Sequence, residues 1–254
     1  MTISINADRV GLTDSGGYFT GTDVESAMAE AGARLLVAPS IYFTGAASNS
    51  FTAPDSAALD LTGDIDIIAW IKCPDYSPAT GMRIVSKING AATTTGGGYE
   101  LYVGAAGQLN FQISTGSAAR DMASSIGWGT DGVGYWVRGF YNDTAKTTRF
   151  SKSTEAKTLD PADVTWTTIN TSVAHGGGSP AAGTMSLTVG DMPNLARQLT
   201  GEVSRVQVWS GESTAGGTLV ADWSAVAMGN RYRDSLGNVW SPNGSAWSVV
   251  VSNS

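Results

Sequence analysis

The 254-residue chain has a single cysteine, Cys73, and a single histidine, His175. One thiol cannot build an internal disulfide framework, and one imidazole cannot build a His-rich metal site. No motif sets His175 beside Cys73, and no Ser-His-Asp spacing surrounds it, so nucleophilic catalysis has no footing. Only 15% of residues are charged, and the formal net charge is −7. With no Lys/Arg cluster, an acidic chain is a poor partner for nucleic acid. The Arg138–Lys157 stretch is mildly basic but is broken by Asp143 and Glu155, and reads as a solvated strand pair. No apolar run approaches the length of a membrane span. The opening "MTISINADRVG" lacks the basic and apolar regions of a secretory signal. The expectation is a protein made in a cytoplasm, without membrane insertion. The sequons at Asn142, Asn170 and Asn243 then read as turn residues.

Glycine is abundant, at 32 residues, and apolar residues alternate with polar ones over most of the chain from about residue 41. Ile65, Ile67, Ala69 and Ile71 share one strand face, and Asp64, Asp66, Ile68 and Trp70 the other. Tyr99, Leu101 and Val103, a Gly-containing turn, then Leu109, Phe111 and Ile113 spell a hairpin. "GYWVRGFY", "TMSLTVG" and "GEVSRVQVWSG" are further strands, and "DSLGNVWSPNGSAWSVV" reads as a closing hairpin. Of the eight tryptophans, Trp70, Trp136, Trp166 and Trp209 fall in predicted strands and are assigned to the core. Trp128, Trp223, Trp240 and Trp247 fall near turns. The pattern predicts an all-β fold: a two-sheet antiparallel jelly-roll sandwich over 41–254, C-terminal hairpin included, behind a short N-terminal arm of residues 1–40.

That arm holds the one clear helix, in "GYFTGTDVESAMAEAGARL". Thr22 and Glu25 form a capping box, and Gly32 is a natural stop. Val24, Ala27, Met28 and Ala31 make one apolar stripe, and Tyr18 and Phe19 precede the cap. A helix of about nine residues is not stable alone in water, so the stripe needs a partner surface. These six residues are the candidate attachment contacts.

Candidate chemistry is sparse. "GDIDIIAW" is similar to the E-x-D-x-x-E strand of jelly-roll glucanases, but Asp64 stands in the nucleophile's place and Ala69 in the acid/base's. No catalytic residues are assigned and the chain is read as no enzyme. "GWGTDG" matches G-x-G-x-x-G by letter but precedes a strand, which removes the phosphate-binding logic. No cofactor is assigned. Calcium stays open, because Asp64/Asp66, Asp131, Asn142/Asp143 and Asp234/Asn238 supply oxygen ligands near turns. Asn89, Thr93 to Thr95, Trp128 and His175 are loop candidates for contact with a glycan.

"SFTAPDSAALDLTGDIDIIAWIKCPD", "RIVSKINGAATTTGGGYELYVGAAGQLNFQIS" and "LTVGDMPNLARQLTGEVSRVQVWSG" occur in that order. Together they resemble a laminin-G-like, concanavalin A-like jelly roll across about residues 41–225. The resemblance implies that fold, whose members bind sugars or proteins. "DSGGYFTGTDVESAMAEAG" resembles a segment of tailed-bacteriophage virion proteins that precedes a variable distal domain; Met28 departs from that family's leucine. "VADWSAVAMGNRYRDSLGNVWSPNGSAW" looks like the endings of such phage jelly rolls. What this implies is a non-enzymatic protein on the virion surface, homo-oligomeric and joined to other virion proteins through the arm. Its place is either a minor tail or tail-tip adhesin for host-surface polysaccharide or a capsid decoration protein. A cellular lectin-like or glycosidase-related protein is a further alternative.

Overall fold

The computed structural model describes residues 39–88, 97–116, 120–192, 197–225, 232–244 and 247–251. The arm helix, with Tyr18, Phe19, Val24, Ala27, Met28 and Ala31, lies outside the described residues, as do Asn89 and Thr93 to Thr95.

Among the described residues the chain forms β1 (Pro39–Thr44), β2 (Ser50–Ala53), β3 (Ile65–Lys72), β4 (Met82–Ser86), β5 (Gly98–Val103), β6 (Gln108–Ser114), β7 (Arg120–Gly127) and β8 (Gly134–Asn142). It continues with β9 (Thr147–Ser153), β10 (Thr167–Ala174), β11 (Leu187–Val189), β12 (Thr200–Ser210), β13 (Thr218–Ser224), β14 (Tyr232–Arg233), β15 (Val239–Asn243) and β16 (Trp247–Val251). Every pairing is antiparallel, and the strands form two sheets of eight. The first sheet runs β10-β9-β8-β3-β12-β1-β16, with β13 also on β12; the second runs β14-β15-β2-β11-β4-β5-β6-β7. This is the expected all-β jelly-roll sandwich. β1 begins at Pro39, two residues ahead of the expected domain start, and the Ser40 hydroxyl donates to Glu202 at 2.6 Å.

Alternation explains which residues meet between the sheets. Ile65, Ile67, Ala69 and Ile71 enter the main core with Leu101, Val103, Leu109, Phe111 and Ile113, as their period-two spacing predicts. On β12 the register against β3 shifts between Val203 and Arg205. That bulge resets the alternation, so Val203, Val206 and Val208 all face the core.

Three expectations are corrected. In the closing segment β15 and β16 do not pair with each other: β15 forms a hairpin with β14 across the turn at 234–238 and adds to β2 in the second sheet, while β16 pairs with β1 in the first. Trp70 and Trp136 are buried, but with Ile68 and Val164 in a separate small cluster under the β9–β10 loop. Trp166 precedes β10, and both it and Trp209 are only half-buried. Trp223 and Trp240, which fall near turns in the sequence, sit in the main core, as most tryptophans are expected to. The Arg138–Lys157 strand pair is β8–β9 as expected, yet Arg138 is buried.

The long connection from β10 to β11 is held by Lys87, whose side chain is fully buried. Its ammonium donates to Asp55 at 2.6 Å, to Asp60 at 2.9 Å and to the Gly183 carbonyl at 2.6 Å. A buried cation needs this many acceptors to offset its lost hydration.

Packing between the sheets is close at Gly139 on β8. A methyl there would stand 2.8 Å from Phe111 Cδ2 and 2.9 Å from Leu101 Cδ1. Gly139→Ala should therefore destabilise the domain by about 1–3 kcal/mol through overpacking. Urea unfolding reads this as a lower midpoint with unchanged slope.

Candidate functional site

The outer face of the first sheet carries the candidate site. After the bulge on β12, Arg205, Gln207 and Trp209 alternate with the core valines and point outward. Ile68 of β3 lies beside Gln207 in register. Two short 3-10 turns wall the groove, Pro161–Asp163 on one side and Ser213–Ala215 on the other. The cavity between them has a volume of about 470 Å³, within the range of small-molecule sites.

Each wall is fixed by an ion pair. Asp66 on β3 is fully buried, and Arg138 on β8 is nearly so. Arg138 Nη2 donates to Asp66 Oδ2 at 2.6 Å, and Arg138 Nε reaches both carboxylate oxygens at 3.0 Å. Asp66 Oδ2 also accepts the Ser213 backbone N–H at 2.9 Å and the Ser213 hydroxyl at 2.7 Å, which pins one wall. Glu212 then joins Arg138 at 3.2 Å and pairs with Arg149. On the other wall, Asp160 accepts the Ala162 N–H at 3.0 Å and pairs with Arg205. Arg205 is held by Asp222 at 2.7 and 2.8 Å, and the Asp222 carboxylate is what raises its pKa further. Trp209 Nε1 donates to Gln207 at 3.3 Å, which sets the ring over the groove beside an amide. A half-exposed indole flanked by amide, hydroxyl and guanidinium groups can stack on an apolar ring face and bond its polar edge.

The two glycan candidates among the described residues, Trp128 and His175, do not share a site. Trp128 is buried, packed edge-on against Tyr76 and Tyr135 at ring distances of 5.0 and 5.3 Å, and its carbonyl accepts from Lys152. His175 is also buried, bonded to Thr148, with Tyr141 at 4.8 Å and Phe111 at 6.3 Å. Tyr135 and Tyr141 lie six residues apart on β8, about 20 Å along the strand, so Trp128 and His175 occupy opposite ends of it. Both serve the core. Trp209 and Gln207 were missed, although the alternation in "RVQVW" sets Trp209 on the polar side.

The oxygens offered to calcium have protein donors. Asp64 accepts the Asp143 N–H at 2.7 Å, Asp131 the Tyr76 N–H at 2.8 Å, and Asn142 the Ala145 N–H at 2.7 Å. Asp234 accepts from the backbones of Leu236 and Asn238 and from Trp240 Nε1. Among the described residues no cluster of three His, Cys, Asp or Glu side chains could hold a metal ion. Cys73 is buried, and desolvation is the main cause that pushes its thiol pKa up.

No family model matches the chain, and no curated protein matches it in sequence. Its fold is similar to solved structures. A candidate carbohydrate-binding protein from Bacteroides ovatus aligns with TM-score 0.57 and 13% identity over 86% of this chain, which spans 61% of that protein. The heptameric SAP-like pentraxin of Limulus polyphemus aligns with TM-score 0.55 and 13% identity over 85% of this chain and 96% of its own. Domains LG4-5 of the mouse laminin α1 chain align more loosely, with TM-score 0.45 and 12% identity over 75% of this chain and 48% of theirs. The first two likenesses define the class of fold, a jelly-roll sandwich.

Two outcomes test the groove's framework. Asp66→Ala leaves Arg138 buried without its main partner and should cost about 3–5 kcal/mol, measured by denaturant unfolding. The second concerns acid. Burial alone would raise the Glu212 carboxyl, but the Thr214 hydroxyl, Arg149 and Arg138 outweigh it and hold the pKa below the usual value. A depressed carboxyl stabilises the fold above its unfolded pKa, about 4.3 for glutamate, and that contribution is lost as pH falls through the folded value. Stability should therefore fall on acidification below about pH 5, and Glu212→Gln should flatten part of that slope. Asp60 and Asp143, also held low, retain the rest.

Proposed function

We propose that this chain is a non-catalytic glycan-binding jelly-roll module of a bacteriophage virion surface. The Trp209 groove carries the binding half of this reading: one half-exposed indole, an amide beside it, and walls fixed by ion pairs, one of them buried. The likeness to a candidate carbohydrate-binding protein supports it at the level of fold. The virion half rests on the sequence resemblance of the arm and of the closing segment. The reading as a binder and no enzyme is supported by the carboxylates near the groove, which are all engaged by donors.

One shallow groove gives weak affinity, and several copies held together raise it. A glycan array probed with the multimerised chain should show a restricted set of bound glycans. Trp209→Ala should weaken that binding at least about tenfold, a loss of about 1.4 kcal/mol. A blank array, or binding indifferent to Trp209, would count against the groove.

The virion half has its own test. The protein should be present in purified phage particles, in few copies for a tail adhesin and in many for a capsid decoration subunit, read by gel densitometry. Met28→Asp would set a charge in the apolar stripe of the arm and should deplete the protein from particles while its unfolding midpoint stays unchanged. Absence of the wild-type chain from particles would favour the cellular lectin alternative.

A further inference from the structure

The outer face of the second sheet carries a different groove, of about 470 Å³, which the Trp209 reading does not use. Its base carries Thr52 and Thr188, opposite each other in register, within a row of hydroxyls that continues beyond the groove to Ser241 on β15 and Ser86 on β4. Neighbouring strands stand about 4.8 Å apart, so the hydroxyls repeat at that spacing. Asn243 on the exposed rim donates to Ser50 at 3.3 Å and to Thr52 at 3.1 Å. Those two hydroxyls therefore keep their own protons to offer into the groove. The end is closed where Gly244 meets the β1–β2 loop: a methyl there would lie 2.3 Å from Asn49 Oδ1 and 2.8 Å from the Ser48 carbonyl.

Thr188 is the unusual member. It is 2% exposed, it lines the groove, and its hydroxyl has no hydrogen-bond partner. A buried hydroxyl left unpaired costs about 1–3 kcal/mol, and an occupant of the groove would recover it. The lining also limits what that occupant can be. Its one ionisable group is Asp191, whose carboxyl is pushed up mainly by burial. A single carboxylate is too little for a hard cation, and among the described residues no cationic side chain lines the groove for an anion. Met185 is the main apolar contact, so no ring platform exists. Serine, threonine and asparagine each offer donors and acceptors together, which suits a neutral polyhydroxyl ligand.

We propose that this groove is a second site, which takes one neutral sugar unit edge-on through hydroxyl and amide hydrogen bonds. It stands independently of the Trp209 groove, on the opposite face of the sandwich.

The test titrates the isotope-labelled full chain with glucose, galactose and N-acetylglucosamine, each to millimolar concentrations, and follows backbone amide shifts. At least one sugar should saturably shift Ser50, Thr52, Thr188 and Asn243. Thr188→Val removes the unpaired hydroxyl at nearly constant shape, so its melting temperature should be unchanged or higher while the shifts are lost. Asn243→Ala, on the rim, should weaken binding about tenfold and serves if the threonine variant does not fold. Trp209→Ala should leave these shifts intact. No saturable shift with any sugar would assign the Thr188 hydroxyl to ordered water and overturn the proposal. Binding unchanged in Thr188→Val, or in Asn243→Ala if that variant stands in for it, would overturn it too. Loss in Trp209→Ala would place the sugar in the other groove. Shifts that persist while the glycan array is blank would sink the Trp209 reading alone.

Discussion

The buried pair of Asp66 and Arg138 is the constraint on which the outer face of the first sheet is built. β3 is buried along nearly its whole length on both faces, whereas an antiparallel sandwich ordinarily leaves one face to water. Two charges on that outer face must be hydrogen-bonded when covered, or folding would be too costly. Asp66 meets the requirement with Arg138 and with the Ser213 backbone and hydroxyl. Arg138 completes its set with Glu212 and Thr214. The same bonds that satisfy the charges therefore position the 3-10 turn that walls the groove. Trp166, 6.0 Å from the Arg138 guanidinium, helps to cover the pair from the loop side. The groove exists where this cover stops and Trp209 begins.

Local alternation was legible, and what it specified folds as expected. The faces of β3 and the β5–β6 hairpin follow directly from period two, because each is a regular strand with one apolar set. Trp209 shows where a coarser rule misled. Size and apolarity assign a tryptophan to the core, yet "RVQVW" places it with Arg205 and Gln207, opposite two valines. The bulge that resets the face of β12 upstream was invisible, since a one-residue shift has no signature when both flanking residues are tolerated. Long-range facts were equally hidden: Asp66 and Arg138 lie 72 positions apart, and Lys87 and Gly183 lie 96 apart. The closing strands failed for the same reason. "NGSAW" is good hairpin chemistry, but β15 pairs with β14 and β2 and β16 with β1, in separate sheets, and tertiary pairing overrides the local turn. His175 sits among glycines that read as loop, whereas Tyr141 and Phe111, distant in sequence, bury it.

The two outer faces differ in chemistry as well as position. That of the first sheet is aromatic and charged, with its polar groups locked pairwise. That of the second is a shelf of small hydroxyls and amides, where Arg83 and Glu100 form the one tight ion pair among the described residues of β4 and β5, at 2.8 Å. Stacking on an indole discriminates ring faces and tolerates variation in hydroxyl pattern, whereas a hydroxyl ladder discriminates the pattern itself. Two grooves of these kinds on one sandwich would read different features of a polysaccharide.

The state of the carboxylates weighs binding against cleavage. Hydrolysis of a glycosidic bond needs one carboxyl able to hold a proton and a second free to attack or to activate water. Near the Trp209 groove, Asp66 accepts from two donors on one oxygen besides Arg138, and Asp160 caps a turn while pairing with Arg205. Glu212 is held as an anion by its arginines. All three carboxylates are already engaged by protein donors. Asp191, in the other groove, has a carboxyl pushed up mainly by burial, and among the described residues it lines that groove without a second carboxylate. Among the described residues each groove is lined by a single carboxylate, Asp160 in one and Asp191 in the other, which supports the proposed binding role over cleavage.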